Sequence, residues 1–251
     1  MNLHGTPSRD ATAFRQQVEW VARRFEFVSP QQFFAIARGE FAPPLRPSVM
    51  FTFDDGLRSN AEIAAPILES FGIRGLFFVC PGFSELEGAA AKAFFYSRVE
   101  PQTTPSHDPE DWTPLRPADV TALHRDGHTI GSHTWSHARL SEVSPAEFPL
   151  QIDRSAKAIE GWTGARCDAF AWTFAWDAIT PAARDAALRR HAFVFGACPG
   201  TTRAAQIDPR LVFRTHVEAH WSVDEYAFFY SGLADPLWLP RRRSLRHLLG
   251  A

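Results

Sequence analysis

The sequence predicts an α/β protein built on a closed or nearly closed barrel of parallel strands, and three observations carry that prediction. Residues 48–53 and 75–80 are short, nearly continuous apolar runs, as expected of parallel strands buried on both faces. Strand-like and helix-like segments then alternate along the chain without a dinucleotide-binding glycine fingerprint, which favours a barrel over a doubly wound sheet. Polar residues also collect at the ends of successive strands, where barrels gather their chemistry.

The elements follow in order. Phe14, Val18, Val21, Ala22 and Phe25 are spaced for a helix over 12–25. Ser29 and Pro30 open a second helix over 30–38, proline being suited to a first turn. Strand 48–53 ends in Asp54-Asp55-Gly56, helix 60–71 is closed by Gly72, and strand 75–80 is stopped by Pro81-Gly82. Helices are then expected at 117–126, 145–161 and 181–190, with strands at 127–131 and 193–197 and the segment 169–176 between the last two helices. Residues 84–113 break the alternation with a possible helix (86–96) and a Pro- and Thr-rich stretch. An insertion there is expected to form a lid or groove wall over the barrel mouth, with a disordered surface segment as the alternative.

The 251 residues suffice for a single domain spanning 1–251, and a net charge of -2 offers no global attraction to nucleic acid or anionic lipid. Cys80, Cys167 and Cys198 fit no disulfide or metal spacing and are expected to be reduced. The 22 Phe and 8 Trp suit either a bulky core or an aromatic groove for a sugar. No apolar leader and no membrane-length stretch is visible, so the cytoplasm is the default location, with periplasmic or membrane-peripheral placement left open. The arginines at 241–243 and 246 suit a solvated helix face or a membrane contact.

The chemistry centres on two motifs. His133 and His137 lie four residues apart just after a predicted strand, and Asp54 and Asp55 sit at another strand end. Two imidazoles and one carboxylate form a facial ligand set for a divalent ion with room for water and substrate. Consecutive strand residues point to opposite sides, but a turn at Gly56 lets both acids reach one pocket. Otherwise one aspartate caps the following helix and the other is solvated.

Residues 52–56 (Thr-Phe-Asp-Asp-Gly) and 133–137 (His-Thr-Trp-Ser-His) resemble the first two motifs of the polysaccharide deacetylase family, the NodB-homology or carbohydrate esterase family 4 domain. The flanks at 72–79 and 126–131 are similar as well. The resemblance implies a distorted (β/α) barrel, commonly seven-stranded, that removes acyl groups, usually acetyl, from amino sugars. It assigns Asp55, His133 and His137 to a divalent metal, most often zinc, and Asp54 to the general base. Residues 170–175 (Phe-Ala-Trp-Thr-Phe-Ala) resemble a variant of the third motif, with Phe174 at the position of the backbone oxyanion donor and Ala171 where an orienting arginine is expected.

Arg214, in a segment resembling a late Leu-Pro-Arg stretch, is the candidate substitute; a surface arginine ending a strand is the plain alternative. The late Leu-x-His motif is missing. His216 is therefore the expected general acid, with His220 or a purely structural histidine as alternatives. Trp135 and Trp172 are expected substrate walls, with Trp176 a further aromatic nearby. His4 and Gly5 resemble the family's first strand, which starts so close to the chain end that it could be short and leave the barrel open. An acylated sugar or oligosaccharide is the expected substrate. The rivals are deacylation or deformylation of a small nucleotide-linked sugar or amine, and a carbohydrate-binding protein that has lost turnover.

Overall fold

A computed structural model describes residues 1–101, 112–174 and 179–248. Among these the chain runs β1 (Asn2–Leu3), α1 (Ala11–Ala22), β2 (Glu26–Phe27), α2 (Pro30–Ala37), β3 (Ser48–Val49), β4 (Thr52–Phe53), α3 (Ala65–Ser70) and β5 (Leu76–Val79). It continues through α4 (Pro81–Ser84), α5 (Gly88–Phe94), α6 (Pro117–Arg125), β6 (Thr129–Ser132), α7 (Ser155–Thr163), β7 (Ala169–Ala171) and α8 (Pro181–Arg190). Last come β8 (Phe193–Ala197), β9 (Val212–Arg214), α9 (Val223–Tyr230) and α10 (Asp235–Leu248).

Seven strands form one parallel sheet in the order β1-β4-β5-β6-β7-β8-β9. The sheet curls into a nearly closed, distorted barrel with helices outside. β1 is short, as expected, yet its free edge is bridged. Asn2 N–H donates to the Thr215 carbonyl at 2.8 Å, and Val217 N–H donates to the Asn2 carbonyl at 2.9 Å, so the last strand's extension meets the first.

Alternation along the strands divides the core. Leu76, Phe78, Ala169, Ala171, Phe193 and Phe195 point into the barrel, where Phe34 of α2 packs with them. Ser29 caps α2 in a complete capping box with Gln32, which fixes the entry of that helix. Phe77 and Val79 point outward onto a larger core with Phe14, Val18 and Leu68 from α1 and α3. Gly131 is needed at its place on β6, because a Cβ there would come within 2.5 Å of the Phe78 ring.

The sequence reads residues 48–53 as one strand, and the fold divides them. β3 pairs with β2 in a separate two-stranded parallel sheet, while β4 joins the barrel. The apolar character of the whole stretch is still explained, since Phe51 between the two pieces is fully buried. In the insertion, the helix expected over 86–96 is α5 followed by a π-helical turn at Phe95–Val99. Phe83, Ala91, Phe95 and Val99 form a small core with Leu57 and Cys80, which anchors the described part of the insertion at the strand ends. Residues 102–111 of it lie outside the described residues.

His191, just after α8, is buried with its ring 5.3 Å from that of Phe170. Its Nδ1 bonds the Cys167 carbonyl at 3.0 Å, and Nε2 has no partner among the described residues. Burial lowers its pKa to about 3. A histidine depressed in the folded state is neutral there while the unfolded chain takes up a proton below pH 6.5, so acid destabilises the fold between that value and about 3. From pH 7 to 5 this group should remove about 2 kcal/mol of stability. Urea unfolding at both pH values should show a smaller acid loss in His191→Phe than in the parent; equal losses would refute the assignment.

Candidate active site

Every described residue singled out for chemistry lies at or after the C-terminal end of a barrel strand. The backbone there is unusual. Asp55, Thr134, His137 and Phe174 are the four non-glycine residues with positive φ among the described residues, at 70°, 65°, 52° and 62°. Each such conformation costs about 1–3 kcal/mol and persists only where its surroundings hold it. All four belong to the three motifs, so the strain is confined to the site.

The left-handed turn begins at Asp55 itself, one residue before the expected pivot at Gly56, whose φ is also positive at 72°. Asp54 therefore keeps the inward direction of β4 while Asp55 swings toward the histidines. Asp55 Oδ1 lies 3.4 Å from His133 Nε2 and 3.3 Å from His137 Nε2, all three side chains being buried. His133 Nδ1 is 2.9 Å from the Ala171 carbonyl, and His137 Nδ1 is 2.8 Å from the Arg98 carbonyl. A carbonyl only accepts, so both Nδ1 atoms carry hydrogen and both Nε2 atoms face the carboxylate. A tetrahedral ion with bonds of about 2.0–2.1 Å separates its ligands by about 3.3 Å, so the observed spacings fit one. Burial pushes the Asp55 carboxyl up, but His4, His133 and His137 outweigh it and hold it well below the usual range.

Asp54 faces the opposite way, onto Arg214 at the end of β9. The guanidinium forks onto the carboxylate, with Nη1–Oδ1 at 2.7 Å and Nη2–Oδ2 at 2.9 Å. Both residues are buried, at 3% and 2% exposure. Nη1 also lies 3.1 Å from both Asn2 Oδ1 and Thr52 Oγ1, and the guanidinium carbon stands 5.0 Å from the Phe78 ring centre. Arg214 is thus no surface residue: it reaches the aspartate from a strand 160 positions away. Burial raises the Asp54 pKa, yet Arg214 and then His133 hold it below the ordinary value.

His216, two residues beyond Arg214, is half-buried, with Nε2 2.6 Å from Glu218 Oε1 and its ring 4.8 Å from the His4 ring. Burial would lift the Glu218 carboxyl, but His216 keeps it below its usual range. Phe174 presents its ring to His137 at 4.7 Å, and the Arg139 guanidinium covers it at 4.5 Å. Of the tryptophans, Trp172 differs from expectation. Trp172 is 3% exposed and packs edge-on against Phe170 in the core under α8, so its ring offers no face to a sugar. Trp135 is half-buried, with the Arg154 guanidinium 3.8 Å above its ring and Gly82 so close that a Cβ would come within 2.7 Å of the indole Nε1. Trp176 lies outside the described residues.

His4, Glu218, Asn2 and Cys80 join the site without having been assigned a role in it from sequence. Cys80 Sγ bonds the His133 carbonyl at 3.0 Å, and burial, then Asp55, raises its thiol well above the usual value, so it is a neutral support. Glu218 had a legible signal, since positions two apart on an extended segment share a side.

The family model for polysaccharide deacetylase matches residues 42–189, more than half of the chain. The chain belongs to the polysaccharide deacetylase family. Solved structures of similar fold include the Streptococcus pyogenes deacetylase PplD in complex with acetate, 17% identical, with 91% of this chain and 95% of that one covered at a TM-score of 0.69. IcaB from Ammonifex degensii is 19% identical over 90% of this chain and 93% of its own, at a TM-score of 0.68. A de-N-acetylase from Aggregatibacter actinomycetemcomitans is 16% identical over 91% and 98%, at 0.69. Among curated proteins none matches. Both aspartates and both histidines fall inside the matched segment, whereas Arg214, His216 and Glu218 lie beyond it. No helix of the described residues is long and apolar enough to cross a membrane.

Proposed function

We propose that the protein hydrolyses the N-acetyl group of amino-sugar units in a polysaccharide or oligosaccharide, using one divalent metal ion, preferentially zinc. The observation that carries this is the adjacency of two differently held aspartates. Asp55 faces two Nε2 atoms at ligand spacing, and Asp54 is clamped by an arginine. Asp55, His133 and His137 would hold the ion, which when bound polarises the acyl carbonyl and makes water more acidic.

The chain's own groups divide the remaining work. Asp54 accepts the proton of the attacking water. Its two oxygens each take one bond from Arg214, leaving lone pairs for that proton, and the grip keeps the carboxylate ionised and aimed. The Phe174 backbone N–H is the proposed donor to the developing oxyanion; the residue's left-handed φ of 62° and its ring 4.7 Å from that of His137 support a place at the site. Trp135, partly exposed beside the second histidine motif, remains the proposed aromatic contact for the sugar. The Arg98 carbonyl, in the insertion, orients His137, which supports a substrate-facing place for the described part of the insertion around it.

His216 supplies a proton to the departing amine, with Glu218 orienting its ring. Amines leave poorly without protonation, while an activated alcohol needs little help. His216→Ala should therefore slow acetate release from N-acetylglucosamine oligomers by roughly 10²-fold or more, and hydrolysis of an activated acetate ester far less, with metal content unchanged. Equal loss on both substrates would remove His216 from this role.

A further inference from the structure

We propose that His4, His216 and Glu218 form a second divalent-cation site, separate from the Asp55 centre, that takes zinc when the ion is in excess. The three residues offer two imidazole nitrogens and one carboxylate oxygen, all within 4.8 Å of one another. They come from opposite ends of the chain. His4 follows β1, His216 and Glu218 follow β9, and the parallel bridge between Asn2 and His216 fixes their approach. All three are half-buried, so an ion can enter from solvent without opening the barrel.

A set of two nitrogens and one oxygen suits zinc, nickel or copper and disfavours magnesium and calcium, which seek oxygen. Glu218 places a carboxylate directly beside His216, the type of group that supplies the negative charge an ion requires. The site is expected to be the weaker of the two. His216 Nε2 and Glu218 Oε1 are joined at 2.6 Å, a hydrogen-bonding distance, so an ion must displace the shared proton and part the pair. At the Asp55 centre the corresponding atoms already stand 3.3–3.4 Å apart. Giving up a charge-assisted hydrogen bond should make the second site roughly 10- to 100-fold weaker than it would otherwise be.

One consequence rests on the proposed function: with Nε2 on Glu218 the departing amine takes its proton from Nδ1, and zinc on Nε2 would hold His216 as the neutral imidazole, a far weaker acid there than the imidazolium, so excess zinc should inhibit deacetylation. Equilibrium dialysis of the full chain against zinc, with cobalt(II) absorption as a second readout, tests the site without relying on turnover. Two equivalents are expected to bind, one tightly and one weakly. His4→Ala and Glu218→Gln should lose the weak equivalent and keep the tight one, while His137→Ala should do the reverse. Saturation at one equivalent, or a weak equivalent that both His4→Ala and Glu218→Gln retain, overturns the proposal. A weak equivalent that behaves as expected but leaves turnover untouched upholds the site and removes His216 from the proton-donor role instead.

Discussion

Asp54→Asn is expected to lower kcat for deacetylation by roughly 10²–10⁴-fold while the protein keeps its metal. The amide is nearly isosteric, so its oxygen can still accept from one Nη of Arg214, but it cannot take a proton from water at neutral pH. The substitution also leaves the guanidinium buried without its counterion. Breaking a buried pair from one side costs about 3–5 kcal/mol, so part of the effect will appear as lower stability. The two effects separate cleanly if metal content and circular dichroism are measured on the same samples as kcat. A variant with native metal, a native spectrum and near-normal turnover would show that Asp54 is only the structural partner of Arg214. The burial of that pair makes the outcome decisive, because a group with so little exposure has few ways to act except on a molecule entering the barrel mouth.

What could be seen in the sequence was local. Strands β5, β8 and the first two motifs announce themselves because each is a short apolar run or a polar cluster at its end, and burial on both faces of a parallel strand leaves a continuous signature. The division of residues 48–53 could not be seen, because Val49 and Phe53 are equally apolar although they serve different sheets. The Arg214–Asp54 clamp was open from sequence for a similar reason. Strand ends adjacent in a barrel lie far apart in the chain, and only closure by β1 shows that β9 and β4 face the same interior. Trp172 illustrates the converse error. A motif position suggests proximity to substrate, yet β7 alternates, and the side chain next to the inward Ala171 points into the outer core. The four left-handed residues were equally hidden, since none is glycine and only their neighbours' packing makes those angles tolerable.

The centre itself is most directly probed at His137. His137→Ala should abolish stoichiometric binding at the Asp55 centre, lowering affinity by well over the roughly 10- to 100-fold typical of an outer-shell change, and deacetylation should fall with it. One complication is built into the backbone. His137 has φ of 52°, and alanine gains nothing from that conformation, so lost metal could reflect a relaxed loop instead of a missing ligand. His137→Asn resolves this, because asparagine tolerates the left-handed region while its short side chain stops well before the position of Nε2. The Arg98 carbonyl loses its donor in the alanine variant, which adds a second local cost. If ligation is what matters, both variants should lose the metal although the asparagine form keeps the loop. Metal retained at this centre by the asparagine variant but lost by the alanine one would assign His137 to holding the backbone turn. Full occupancy of the Asp55 centre in both would end the case for a metal site at Asp55, His133 and His137.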